Sequence, residues 1–222
     1  MKPFRDSSPT SLIASGSSLA FLALLVAGAV RAYVDNRQYD IVIALYCISS
    51  YLFVQYGLLR LLKMTNPPFM RIVIVLLSFI SLYLGSFLGW YSSPVYDKLI
   101  HFLIGAVVVC AGVLFSFKCR PEERSGLTDR QRVFLVLFAV CLSVTLSAFW
   151  EMIEFTSDRL FHSNFQRWAN ESPEAIIDTM LDQILGLAGA ILAGLWLHQQ
   201  MQKDFQRFRQ RIIDPFFHHE GR

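Results

Sequence analysis

VYDKLIHFLIGAVVVCAGVLFSF, residues 95–117, decides the fold. Beyond His101 it carries no charged side chain before Lys118, and about twenty such residues suffice to cross a hydrocarbon core of roughly 30 Å. A segment of this kind belongs in lipid. Yet Asp97, Lys98 and His101 occupy its first two turns, where an acid and an imidazole stand four residues apart. An ionisable pair inside a membrane helix is costly and calls for a reason.

Five further segments share its character. The expected spans cover residues 10–33, 40–62, 70–91, 95–117, 132–154 and 175–198, which makes the chain an all-α, polytopic membrane protein, a bundle of six transmembrane helices. The composition agrees: 54% of the 222 residues are hydrophobic and 17% charged, where soluble domains carry about a quarter charged. Lys2 and Arg5 ahead of an apolar run ending near Ala27-Gly28-Ala29 resemble a secretory signal, but the run is long for one and reads as a first membrane helix. The chain is one six-helix domain, residues 1–222, which ends in a basic and aromatic tail, residues 199–222, whose spacing suits a short amphipathic helix on anionic lipid or a plain charged tail.

The charges orient these spans. With the amino terminus inside, cytoplasmic segments hold Lys2, Arg5, Arg60, Lys63, Arg71, the cluster from Lys118 to Arg132, and the basic tail. The other side holds Arg31, Arg37, Lys98, Arg159 and Arg167, a bias of about three to one that follows the positive-inside rule. Both termini are therefore expected in the cytoplasm.

Three of the spans carry paired ionisable residues. Asp97 and His101 are four apart, Glu151 and Glu154 in AFWEMIEF are three apart, and Asp178 and Asp182 in AIIDTMLDQILG are four apart. Those spacings put each pair on one helix face. The topology brings all three pairs to the extracytoplasmic level, an agreement that owes nothing to the acids themselves. Gly105, Gly186, Gly189, Ser143 and Ser147 continue the acidic faces as stripes of small residues, which lets membrane helices approach closely. Ser78, Ser81, Gly85 and Gly89 form a similar stripe on the third span.

Clustered carboxylates repel unless protonated or bridged by a cation. Lys98 and Arg159 are the nearby bases in sequence, and Asp97 could pair with Lys98. His101 among the acids favours a divalent metal ion, with imidazole and carboxylates suiting Zn, Mn or Fe and an all-oxygen set suiting Mg. The metal candidates are Asp97, His101, Glu151, Glu154, Asp178 and Asp182, with Glu154 or Asp178 as the catalytic base. The loop after the fifth span places Phe161, Phe165 and Trp168 at helical spacing, an aromatic belt or a lid. His162, Arg159 and Arg167 there would meet an anionic, lipid-linked head group.

Three functions fit such a cluster. One is a metal-dependent hydrolase acting on a membrane lipid or lipid-linked head group; a second is a cation or proton transporter; a third is an accessory protein whose polar residues fix helix register. GxSxG, Walker and HExxH signatures are absent, no cysteine spacing suggests a disulfide or zinc framework, and nothing points to nucleic acid.

YDKLIHFLIG, FWEMIEF and IIDTMLDQILGLAGA, in this order over the second half of the chain, resemble the motifs of the YjdF-type bacterial inner-membrane proteins, a family of unknown function. A fainter similarity links the DKxxH helix and the late Asp-containing helix to VanZ-like proteins. The resemblance implies a bacterial inner-membrane setting and supplies no reaction. The sequence departs from the YjdF pattern before Asp178, where ESPEAIID stands in place of glycine, aspartate and Trp-Asp; Glu171 or Glu174 lies where the lost acid would be.

Overall fold

Prolines and small polar caps set where the helices begin. The computed structural model describes residues 8–161, 165–166 and 173–217. Within it α1 (Pro9–Val34), α2 (Gln38–Leu61), α3 (Pro68–Phe87), α4 (Pro94–Cys119), α5 (Asp129–Phe161) and α6 (Pro173–Lys203) are the long helices. Four of these open on proline, whose missing N–H costs nothing in a first turn that offers no acceptor. Ser8 caps α1 by accepting from the Ser11 N–H at 3.2 Å. Thr128 and Gln131 cap α5 reciprocally: Thr128 Oγ1 accepts from the Gln131 N–H at 3.3 Å, and the Thr128 N–H donates to Gln131 Oε1 at 2.8 Å.

All six long helices are apolar enough to span a membrane, and only 17% to 33% of the residues in their most apolar windows are buried within the protein. Leu12, Leu19, Val26, Leu76, Phe134, Leu137, Ile184 and Leu192 instead face outward. Water would not tolerate so much exposed apolar surface on six helices, whereas lipid requires it. The protein is an all-α, polytopic membrane protein.

α3 stops at Phe87, four residues before the expected end. Gly89, with φ +74°, turns the chain in the left-handed region, which costs glycine little. Tyr91 folds back over Gly85, where a Cβ would lie 2.4 Å from the ring. Residues Phe53–Leu58 of α2 and Phe79–Phe87 of α3 wind as π-helix. Phe79, Tyr83 and Phe87 stack along the second of these, with 5.6 Å between successive ring centroids.

Two compact units divide the chain. One holds α1–α3 with the segment from Asp214. Its core is Phe21, Leu25, Ile43, Cys47, Tyr51, Ile74 and Val75, with the Phe21 and Tyr51 rings meeting edge to face at 4.9 Å. Here Phe216 sets its ring edge-on against Phe69, and its carbonyl accepts from the Thr65 N–H at 2.8 Å.

The other unit, Ser92–Ile213, holds α4–α6. Glycine governs its packing. A Cβ on Gly105 would lie 2.1 Å from the Gly186 carbonyl oxygen, and one on Gly189 would lie 2.0 Å from that of Phe102. Hence α4 and α6 touch backbone to backbone. α5 joins them through Gly112 against Ala139 and through Ser143 Oγ, which donates to the Gly105 carbonyl at 3.0 Å.

The tail is helical from Phe205, and its apolar side chains meet protein. α6 runs to Lys203, Asp204 then caps a helical turn at Phe205–Phe208, which continues as π-helix over Arg209–Ile213 and ends in a 3-10 turn at Asp214–Phe216. Phe208, Ile213 and Phe216 are buried against protein, while Arg207 and Arg211 remain exposed. Apolar tail residues thus pack inside the protein rather than into lipid.

Candidate functional site

α4 and α6 start, and α5 ends, at one level of the second unit, so the acidic pairs of all three helices converge there. Asp97, Glu151 and Asp182 are each less than a tenth exposed. Asp97, His101 and Asp182 offer one carboxylate or imidazole atom apiece, all within 4.8 Å of one another. His101 Nε2 lies 3.9 Å from Asp97 Oδ1 and 3.8 Å from Asp182 Oδ1, and its Nδ1 lies 3.9 Å from Glu151 Oε1. These separations are too long for hydrogen bonds. They are short enough for ligand atoms sharing one ion at about 2.0–2.2 Å.

Lys98 engages more of the acids than its neighbour Asp97 alone. Its ammonium is 3.2 Å from Asp97 Oδ2 and 2.9 Å from Asp182 Oδ1, and it also contacts the Asp178 carboxylate directly. One cation thus joins three acids on two helices. The place of Lys98 three residues before His101 puts it near the acidic face, but does not show that its side chain reaches the acids of α6. Even so, four carboxylates gather around a single ammonium and a single imidazole. The ion pair at Asp182 Oδ1 is not an aligned hydrogen bond, and Glu151 Oε1 is buried with no hydrogen-bond partner among the described residues.

Four of the five expected carboxylate ligands therefore surround His101 and Lys98, and Glu154 is not one of their ion-pair partners. Its Oε1 accepts from the indole N–H of Trp150, one turn earlier, at 2.7 Å. The three-residue step from Glu151 turns Glu154 toward Trp150, itself 40% exposed. Gln183 Nε2 donates to Ser147 Oγ at 3.1 Å and ties α6 to α5 one turn along from the acids.

Asp158, a sixth acid, serves the backbone. It is 1% exposed, and its two carboxylate oxygens accept from the N–H groups of Phe165 and Gln166 at 2.8 and 2.9 Å. Arg159 stands over the Phe155 ring, 5.5 Å from its centroid. His162, Arg167, Trp168 and Glu171, together with the side chain of Phe161, lie outside the described residues.

Six membrane-length helices and a buried acid–lysine–histidine cluster on the last three define a polytopic membrane protein with a polar centre. The chain belongs to the family described as predicted membrane protein (DUF2238), whose family model matches residues 17–203. That match takes in every residue of the cluster. No curated protein and no solved structure matches it.

Proposed function

We propose that the cluster is a divalent-metal site and that the protein is a hydrolase of membrane lipid or lipid-linked head groups. One observation carries this reading: Asp97, His101 and Asp182, from two helices locked together by glycine, present ligand atoms within 4.8 Å of one another in a buried, acid-rich centre. The donors fit the ion, since imidazole with carboxylates suits Zn, Mn or Fe. Bound there, the metal would acidify water and polarise a phosphoryl or acyl oxygen.

The protein's own groups supply the rest. Asp97, His101 and Asp182 would hold the ion, and Glu151, whose buried Oε1 has no hydrogen-bond partner among the described residues, would accept the proton of the attacking water. Asp178 engages Lys98 and keeps the ammonium on the acids' flank. The Lys and Arg bias supports a centre at the outer leaflet with both termini cytoplasmic, and the YjdF-type likeness supports a bacterial inner membrane. Arg159, with Arg167, would meet the anionic group of the substrate.

A second reading has its own support. Lys98 neutralises part of the acidic charge without metal, as a buried register-fixing network would, and the protein is then an accessory component. Transport has less behind it: residues 102–117, 133–150 and 183–203 contain no acid to continue a path across the membrane.

Purified protein loaded with Zn or Mn and incubated with phospholipid in mixed micelles separates these readings. The hydrolase releases water-soluble head group, loses activity on chelation, regains it on metal addition, and is crippled by Glu151→Gln. Equal release by wild type and Asp182→Asn would end the hydrolase reading.

A further inference from the structure

The first unit holds a feature unrelated to the acidic cluster. A cavity of about 460 Å³ opens where α2 ends and α3 begins, lined by Gln55, Arg60, Lys63, Asn66 and Arg71 with an apolar wall that includes Leu59. Its charge is of one sign: two guanidiniums and an ammonium, with no lining carboxylate. Neither Arg60 nor Arg71 has an ion-pair partner among the described residues.

Arg71 is held ready rather than neutralised. One of its terminal nitrogens donates to Ser15 Oγ at 3.2 Å and the other to Ser11 Oγ at 3.1 Å, both on α1. Its Nε is buried without a hydrogen-bond partner. The Ser11 carbonyl accepts from the guanidinium as well, at 3.5 Å, so three neutral oxygens orient it and leave its charge uncompensated.

The floor is equally fixed. Gln55, fully buried within the π-helical turn of α2, donates through Nε2 to Ser18 Oγ at 2.9 Å and keeps its Oε1 unpartnered. Its backbone carbonyl accepts from Asn66 Nδ2 at 2.6 Å, which ties the α2–α3 connection to the cavity. π-helical turns inside α-helices frequently mark functional positions.

We infer that this cavity binds the phosphate of an anionic ligand, with Arg60 and Arg71 as its principal cationic contacts. Guanidinium forks match phosphate oxygens in pairs and lose little hydration in doing so. The cavity lies at the ends of membrane helices, where head groups sit, and Leu59 and Met64 give it an apolar side. A phospholipid head group therefore fits it better than free phosphate, which shares the recognising chemistry.

The test uses full-length protein, delipidated in detergent and titrated separately with a short-chain phosphatidylglycerol, a short-chain phosphatidylcholine and inorganic phosphate, with binding read by native mass spectrometry. Phosphatidylglycerol is expected to bind one per chain, with affinity reduced about tenfold in Arg60→Gln and in Arg71→Gln and weakened by salt. Phosphatidylcholine should bind more weakly and without dependence on these arginines. Arginine-dependent binding of inorganic phosphate at matching affinity would keep the anion site and assign its source to solution. Arg60 is exposed, so Arg60→Gln folds even if the loss of Arg71 does not. Unchanged binding of both anions in Arg60→Gln would overturn the inference. Asp97→Asn should leave phosphatidylglycerol binding intact, so this result stands apart from that for the acidic cluster.

Discussion

Gly105→Ala and Gly186→Ala add the same methyl group to facing positions, and the structure assigns them opposite outcomes. A Cβ on Gly105 would sit 2.1 Å from the Gly186 carbonyl oxygen, 2.8 Å from its carbon and 3.0 Å from its Cα. Nonbonded heavy atoms settle at about 3.5–4.0 Å, so α4 and α6 would have to part by more than about an ångström. Backbone cannot rotate aside as a side chain can. Overpacking of this kind costs about 1–3 kcal/mol, and more where backbone must move. On Gly186 the same Cβ meets Ser147 Oγ at 3.5 Å and the His101 carbonyl at 3.7 Å, which is ordinary contact. There alanine regains up to about 1 kcal/mol of helix propensity. Thermal unfolding of the two variants in one detergent, followed by the fraction remaining monodisperse after heating, should place Gly105→Ala below wild type by roughly 2–12 °C, at about 2–4 °C per kcal/mol for a chain of this size. Gly186→Ala should match or exceed wild type. The parting of α4 from α6 also separates Asp97 and His101 from Asp182, so Gly105→Ala should weaken metal retention as well. Equal stability of the two variants would refute the claim that these backbones are in contact.

Further outcomes follow from the same distances. Lys98→Gln removes the ammonium from three carboxylates; the metal-free variant should lose about 3–5 kcal/mol of stability, as breaking a buried pair does. Metal should restore that loss and bind about tenfold tighter than to wild type, because it no longer competes with a positive charge beside the same acids; thermal unfolding with and without Zn reads both. Asp158→Asn keeps one acceptor for the Phe165 and Gln166 amides and should cost about 1–3 kcal/mol, seen as faster amide exchange at those two residues. Between α4 and α5, burial holds the Glu123 carboxyl above its ordinary value despite the Arg120 guanidinium beside it. The folded carboxyl binds its proton more tightly than the unfolded one, so its contribution to stability is complete at low pH. That contribution is lost as pH rises from the ordinary carboxylate range through the raised value. Glu123→Gln should flatten the fall in melting temperature over that window, and an unchanged pH profile would contradict the assignment.

Periodicity and length made the six helices legible, because lipid demands long apolar runs and satisfied backbones. The meeting of Asp97, His101, Glu151, Asp178 and Asp182 was legible for a related reason: helix spacing fixes faces, and Lys and Arg counts fix levels. Glu154 shows the limit of that logic. A step of three residues shares a face only loosely, and the nearby Trp150 indole engages its carboxylate. Lys98 was hidden in a different way, since its long side chain reaches acids on another helix that its own position does not reveal. The tail misled because basic and aromatic alternation looks alike whether its apolar side meets lipid or protein. Phe208, Ile213 and Phe216 meet protein, through tertiary contacts that no local pattern carries.

Metal content tests the central claim most directly. Full-length protein, purified after growth with supplemented Zn, Mn and Fe and measured by plasma mass spectrometry, should carry stoichiometric metal. Asp97→Asn, His101→Ala and Asp182→Asn should each lose it while remaining monodisperse. Metal-free wild type beside equally well-folded variants would contradict the account and leave Lys98 as the cation that holds the cluster together.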